Sequence, residues 1–354
     1  MLQNEGKTMS QNSISELWYT RCPVPTTSGI AQHFRWLHRE FESKGIALKS
    51  IRAADDQAVR NSHFDHTHPG MFREGGNVPP IWARANGRDT AVVGITWVDE
   101  EQLILVRDDS DIRDLAGLKG RRLGLPLHAT PIVDVGRAQD LRGLLTALEL
   151  GGLTREQVDL VDIPADGFDL REQDANAPRR THVTAAALLD RAVDAIYAKG
   201  AVSATLIAEG GLRPIFDINV NPDPLVRVNA GTPRPITVDR TLALEYPDVV
   251  ARYLAVLLRT AQWALEHPDE VVGAIAAETG STVDAVRRGF GPHLHRQFTP
   301  SLSDIYVEGL RQQKAFLLRE GFLVADFDYE QWFLREPLEL AQELAKDIEF
   351  SRAA

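Results

Sequence analysis

The eight residues AVVGITWV, Ala91–Val98, form an almost unbroken apolar run. It is far shorter than the roughly 18 residues that a membrane span requires. A strand that is apolar on both faces must be covered on both. That is the condition of a central parallel strand with helices packed on either side of its sheet. This run therefore restricts the chain to α/β architectures, and its neighbours agree. LWYTRCPVPT reads as a short strand stopped by Pro23 and Pro25, which fix two backbone angles just after Cys22. An amphipathic helix is expected from about Ser28, with Ile30, Phe34 and Leu37 on one face, closing near Gly45. IALKSI then alternates like a second strand. His63 to Pro80 is dense in Gly and Pro and reads as loop.

The pattern restarts after EEQLILVR, itself strand-like. RDLAGLKG suggests a short helix, RRLGLP a strand, and Leu141–Leu150 a helix closed by Gly151 and Gly152. QVDLVDIP, THVTAAALLDRA and VDAIYAKG continue as strand, helix and strand, and Gly210 to Arg234 reads as a return connection. The last third is helical. Val250, Leu254, Leu257, Leu258, Ala261 and Leu265 make one stripe, and further helices are expected at Thr282–Arg288 and Ile305–Arg319. Two α/β units are thus expected, the second inserted into the first: 15–105 with 232–354 as lobe 1, and 106–231 as lobe 2. Ligands of such a clamshell sit in the cleft between lobes.

Composition narrows function. The 354 residues carry a net charge of −11, which argues against nucleic acid as a partner. A single cysteine excludes an intramolecular disulfide. The opening MLQNEGKTMS is polar with no apolar stretch after it, so no secretory signal is expected and the cytoplasm is the expected location.

Cys22 has two readings: a small buried hydrophobe at a strand end, or a thiol beside Arg21 whose setting makes it a nucleophile. His63, Asp65, His66 and His68 lie within SHFDHTHPG. Their spacing is a poor match for zinc, which leaves proton transfer, hydrogen bonding or plain surface loop. Arg73 precedes Gly75 and Gly76, an arrangement suited to an oxyanion nest or to an ordinary salt bridge beside a turn. His293 and His295 read as solvated, and Trp97, Phe290 and Trp332 as core. A phosphate-binding P-loop, a dinucleotide fingerprint and a GxSxG elbow are all missing from the sequence.

Taken together, YTRCPVP at Tyr19–Pro25, SHF at Ser62–Phe64 and FREGGNVPP at Phe72–Pro80 resemble the 2'-hydroxybiphenyl-2-sulfinate desulfinase family, within the wider group of sulfonate, nitrate and taurine binding proteins. VVGIT at Val92–Thr96, LVRDDSDI at Leu105–Ile112, DLAGLKGRRLG at Asp114–Gly124 and GFG at Gly289–Gly291 follow in the right order. The resemblance implies a two-lobed, type II periplasmic-binding-protein-like clamshell. It also implies a hydrolase that cleaves the C–S bond of an organic, aryl-type sulfinate and releases sulfite. Cys22, His63 and Arg73 would be its catalytic residues, with Arg73, Gly76 and Phe64 at the substrate. On this reading the partner is a small organic anion, the protein is a monomer away from any membrane, and neither a metal nor an organic cofactor is expected. The alternative is a binding protein that captures a sulfonate or sulfinate unchanged. One departure bears on substrate: AKGAVSATLIAEG puts Lys199 and small residues where the family has an aromatic-rich wall.

Overall fold

A computed structural model describes residues 14–130, 132–166 and 182–350; the amino-terminal segment examined for a signal lies outside them. In chain order the first part comprises β1 (Glu16–Arg21), α1 (Thr27–His33), α2 (Trp36–Glu42), β2 (Ala47–Ser50), α3 (Gln57–Asp65), β3 (Met71–Glu74), α4 (Val78–Ala85) and β4 (Thr90–Thr96). The middle part comprises β5 (Gln102–Arg107), β6 (Arg122–His128), α5 (Val135–Leu150), β7 (Asp159–Ala165), α6 (Val183–Leu189), β8 (Ile196–Lys199), α7 (Gly200–Glu209) and β9 (Leu212–Asp217). The chain ends with β10 (Arg234–Asp239), α8 (Arg240–Glu245), α9 (Pro247–Ala264), α10 (Pro268–Thr279), α11 (Val283–Phe290), α12 (Asp304–Arg319) and α13 (Glu336–Leu344).

These elements build a mixed α/β molecule. The first sheet has the order β2-β1-β3-β10-β4, with β1 parallel to β2 and β3, and β10 antiparallel to both of its neighbours. In the middle part β8-β5-β9 form an antiparallel sheet and β6 pairs with β7 in parallel. A bridge between Leu123 and Ala195 ties the two together. The chain leaves the first sheet after β4 and returns to it at β10. The strands of the middle part thus lie between two strands of the first sheet in chain order. Trp97, Phe290 and Trp332 are buried, as core residues should be.

The structure corrects several local readings. The Ala91–Val98 run forms β4, and all seven strand residues are buried, yet β4 is an edge strand and pairs antiparallel with β10. Its free edge is closed by bridges from Ile95 to Ser301 and from Val92 to Phe333. The carboxy-terminal segment thus supplies the cover that a neighbouring strand would have given. The expected first helix is two, because Arg35 turns left-handed at φ 58° and separates α1 from α2. At that break Phe34 stacks on Trp36, and both rings meet Trp263 of α9.

His63–Pro80 is not loop. It holds the end of α3, all of β3 and the start of α4. Gly70 and Gly75, at φ 67° and 150°, bracket β3, and Pro79 and Pro80 sit in the first turn of α4, where the missing N–H is no loss. RDLAGLKG makes only a 3-10 turn at Ala116–Leu118. β9 lies inside the stretch read as a return connection.

Candidate active site

Parallel pairing of β1 with β3 sets Thr20 opposite Arg73 and Arg21 opposite Glu74. Cys22 follows directly, its N–H donating to Glu74 O at 3.3 Å, so the thiol emerges at the carboxy-terminal end of the strand. α3 runs across the same end and delivers His63. The result is a closed cluster. Cys22 Sγ is 3.3 Å from His63 Nε2, and Arg73 Nη2 donates to it at 3.1 Å. His63 Nδ1 stands 2.8 Å from Thr20 Oγ1. Arg73 also donates from Nε to His63 O at 3.0 Å and from Nη1 to Gly76 O at 2.8 Å.

Cys22, His63, Arg73 and Thr20 are all buried. Burial first, then the nearby Arg73 guanidinium, holds the His63 imidazole well below its ordinary range, so it is neutral at pH 7. Burial also lowers Arg73 from its ordinary value, with Cys22 opposing that shift. The cluster therefore offers a thiol between a neutral imidazole and a guanidinium. It can pass a proton between sulfur and a reacting atom and stabilise the charge left behind.

The residues expected from the sequence come together unevenly. Cys22, His63 and Arg73 meet, and Phe64 lies edge-on to the His63 ring at 4.9 Å. Gly76 is present, but what it gives Arg73 is its carbonyl oxygen. The other histidines diverge. His66 Nε2 contacts Thr237 Oγ1 at 3.1 Å, and burial, then Arg73, pushes its imidazole down to about 3. His68 packs on Trp18 and contacts Pro69 O. Among the described residues no group of three His, Cys, Asp or Glu could hold a metal ion. His293 precedes the Leu294–Arg296 turn and His295 lies within it; among the described residues neither hydrogen-bonds to Cys22, His63 or Arg73.

Sequence reasoning missed three residues. Thr20 was detectable, because strand alternation puts it on the face of Cys22 two positions on. Glu100 and Arg234 were not. Glu100 is buried and accepts from Lys199 Nζ at 2.7 Å, and Arg234, at the start of β10, lies 3.6 Å from the same carboxylate oxygen. Glu100, Lys199 and Arg234 lie 78, 177 and 212 residues beyond Cys22 in the chain. An open depression of about 520 Å³, lined by His66, Thr67, Arg88 and Asp239 among others, lies at the opposite end of the first sheet. It has no part in the cluster.

The arrangement of the sheets and the buried site at their strand ends define a protein with the sulfonate-binding-protein fold. The periplasmic aliphatic sulphonate binding protein SsuA from Escherichia coli is 17% identical, with a TM-score of 0.66 over 91% of this chain and 93% of that one. The particular relationship is narrower: the chain is a homologue of 2'-hydroxybiphenyl-2-sulfinate desulfinase. It is 29% identical to the Rhodococcus erythropolis protein, over 93% of this chain and 94% of the relative. The crystal structure of a cysteine-to-serine mutant of the desulfurization enzyme DSZB, in complex with biphenyl-2-sulfinic acid, superposes with a TM-score of 0.72. It is 28% identical over 93% of this chain and 99% of that one. No family model matches the sequence. Among the described residues, no helix is long and apolar enough to cross a membrane.

Proposed function

We propose that this protein is a cysteine-dependent desulfinase that hydrolyses the C–S bond of an organic sulfinate, of aryl type, and releases sulfite. The observation that carries the reading is the Cys22 thiol held between His63 Nε2 and Arg73 Nη2 in a homologue of sulfinate desulfinases. The overall reaction converts a sulfinate and water into the hydrocarbon and hydrogen sulfite, with no change in the number of electrons.

Two routes use the same groups. In one, the Cys22 thiolate attacks sulfur; in the other, the thiol protonates the carbon that bears the sulfinate. We take the second. In it the neutral His63 imidazole stays a hydrogen-bond partner of the thiol. In that route the proton passes from Sγ to carbon and the C–S bond breaks with its electron pair left on that carbon. Sulfur dioxide departs, and water converts it to hydrogen sulfite with release of a proton that restores the thiol. Arg73 stands at the atom where negative charge develops, and Thr20 holds the orientation of the His63 ring.

Cys22→Ser is expected to lower sulfite release by roughly 10²–10⁴-fold, the usual loss for a positioned proton donor, with sulfinate binding retained. A variant with near-normal turnover would end the proposal. If wild-type protein leaves aryl and alkyl sulfinates unchanged while binding one of them tightly and stoichiometrically, the chain is a binding protein.

A further inference from the structure

Arg234 is fully buried, and none of its three guanidinium nitrogens has a hydrogen-bond partner. Its ion-pair partner is Glu100, with Oε1 3.6 Å from Nη2, beyond hydrogen-bond reach. That oxygen already accepts from Lys199. Five N–H donors enclosed without acceptors are strongly unfavourable, and native proteins retain such a group where an acceptor arrives from elsewhere.

Register locates the place. Thr237 and Ile236 oppose Arg73 and Glu74 in the antiparallel β10–β3 pair, which carries Arg234, two residues further, towards Gly75 and Gly76. Gly76 lies close against Ala230 O, and Asn77 donates to the carbonyls of Asn229 and Pro233, anchoring the turn that ends at Arg234. On the other side of the glycines is Cys22, close enough that a β-carbon on Gly75 would stand 2.5 Å from Sγ.

The other two buried cations of this region are committed. Arg73 spends three N–H groups on Cys22, His63 and Gly76, and Lys199 is held by Glu100. We infer that Arg234, not Arg73, is the main receptor for the anionic headgroup of the substrate, and that the headgroup is monoanionic, as a sulfinate or sulfonate is. One uncommitted guanidinium matches one negative charge. The Glu100 carboxylate beside it repels a second, which disfavours sulfate or phosphate dianions. This deepens the desulfinase reading and rests on it for the sulfinate headgroup.

The test separates the two. In the Cys22→Ser background, which needs no turnover, calorimetric titration with benzenesulfinate, benzenesulfonate and inorganic sulfate should show binding of the first two and little of the third. Adding Arg234→Met should weaken benzenesulfinate binding by at least about 10-fold, the loss expected from charge-assisted hydrogen bonds. Arg234→Lys, which keeps the charge and loses the fork, should fall between. Without ligand, Arg234→Met should unfold at the same temperature as its parent or a higher one, because an apolar side chain of similar size replaces an unsatisfied cation.

Unchanged benzenesulfinate affinity in Arg234→Met would overturn the inference. So would a parent that binds neither organic anion, or an Arg234→Met protein that is markedly less stable or fails to fold, since each makes Arg234 structural. Sulfite release by the wild-type protein judges the desulfinase reading on its own. Arg234-dependent binding of benzenesulfonate without sulfite release would sustain the receptor and remove the enzyme.

Discussion

A β-carbon on Gly75 would stand 2.5 Å from Cys22 Sγ and 2.7 Å from its Cβ, and the residue's φ of 150° lies where side chains are strained. The glycine therefore gives the thiol its room. Gly75→Ala is expected to displace Cys22 and cut sulfite release by about 10²-fold, the cost of misplacing a reacting group by an ångström. Full activity in that variant would show that the contact is not required. Thr20 is the other small residue on which the thiol depends. Thr20→Val keeps the shape but removes the partner of His63 Nδ1, and should lower kcat about tenfold with little change in KM. A loss confined to KM would place Thr20 in binding. The motif around Cys22 was readable because it is local, whereas Thr20's role needed α3 to fold across the strand end.

At the level of elements, Glu74 shows how the site's floor is held. Its carboxylate accepts from the N–H groups of Thr27 at 3.1 Å and Ser28 at 2.6 Å, and from Thr96 Oγ1 at 3.0 Å. It thereby ties β3 to the start of α1 and to the end of β4. A Gly- and Pro-dense stretch hid β3 from sequence reading, because its four residues are too few to show alternation between the turns that bracket them. In the middle part, α5 carries Asp140, a buried carboxyl pushed up to about 7 by burial. The native state there binds the proton more tightly than the unfolded chain. This group's contribution is therefore complete below about 3.8 and is lost as pH rises through about 7. Asp140→Asn should raise the unfolding temperature relative to wild type at about pH 8 and change it far less at about pH 5. Equal effects at both values would mean that the carboxyl titrates normally.

Over the whole molecule, the first sheet is left between Thr96 and Gln102 and regained between Asp217 and Arg234. We propose that these two crossings let lobe 2 move against lobe 1 when an anion binds, and that the protein is a monomer, its net charge of −11 opposing self-association. Light scattering should give a mass near 39.2 kDa, and the radius of gyration of the Cys22→Ser protein should fall on adding benzenesulfinate. A dimer mass, or a radius indifferent to ligand, would refute the respective half. Reading along the chain was enough for the α/β class, for most strands, and for the grouping of Cys22, His63 and Arg73, since periodicity and motif are properties of neighbouring residues. It placed β4 in the middle of a parallel sheet, because an apolar run reports that a strand is covered and not by what. It passed over the buried Arg234. Which of two buried arginines is already occupied depends on partners from β1, α3, β3 and the Glu100 crossing, and those meet only once the chain has closed on itself.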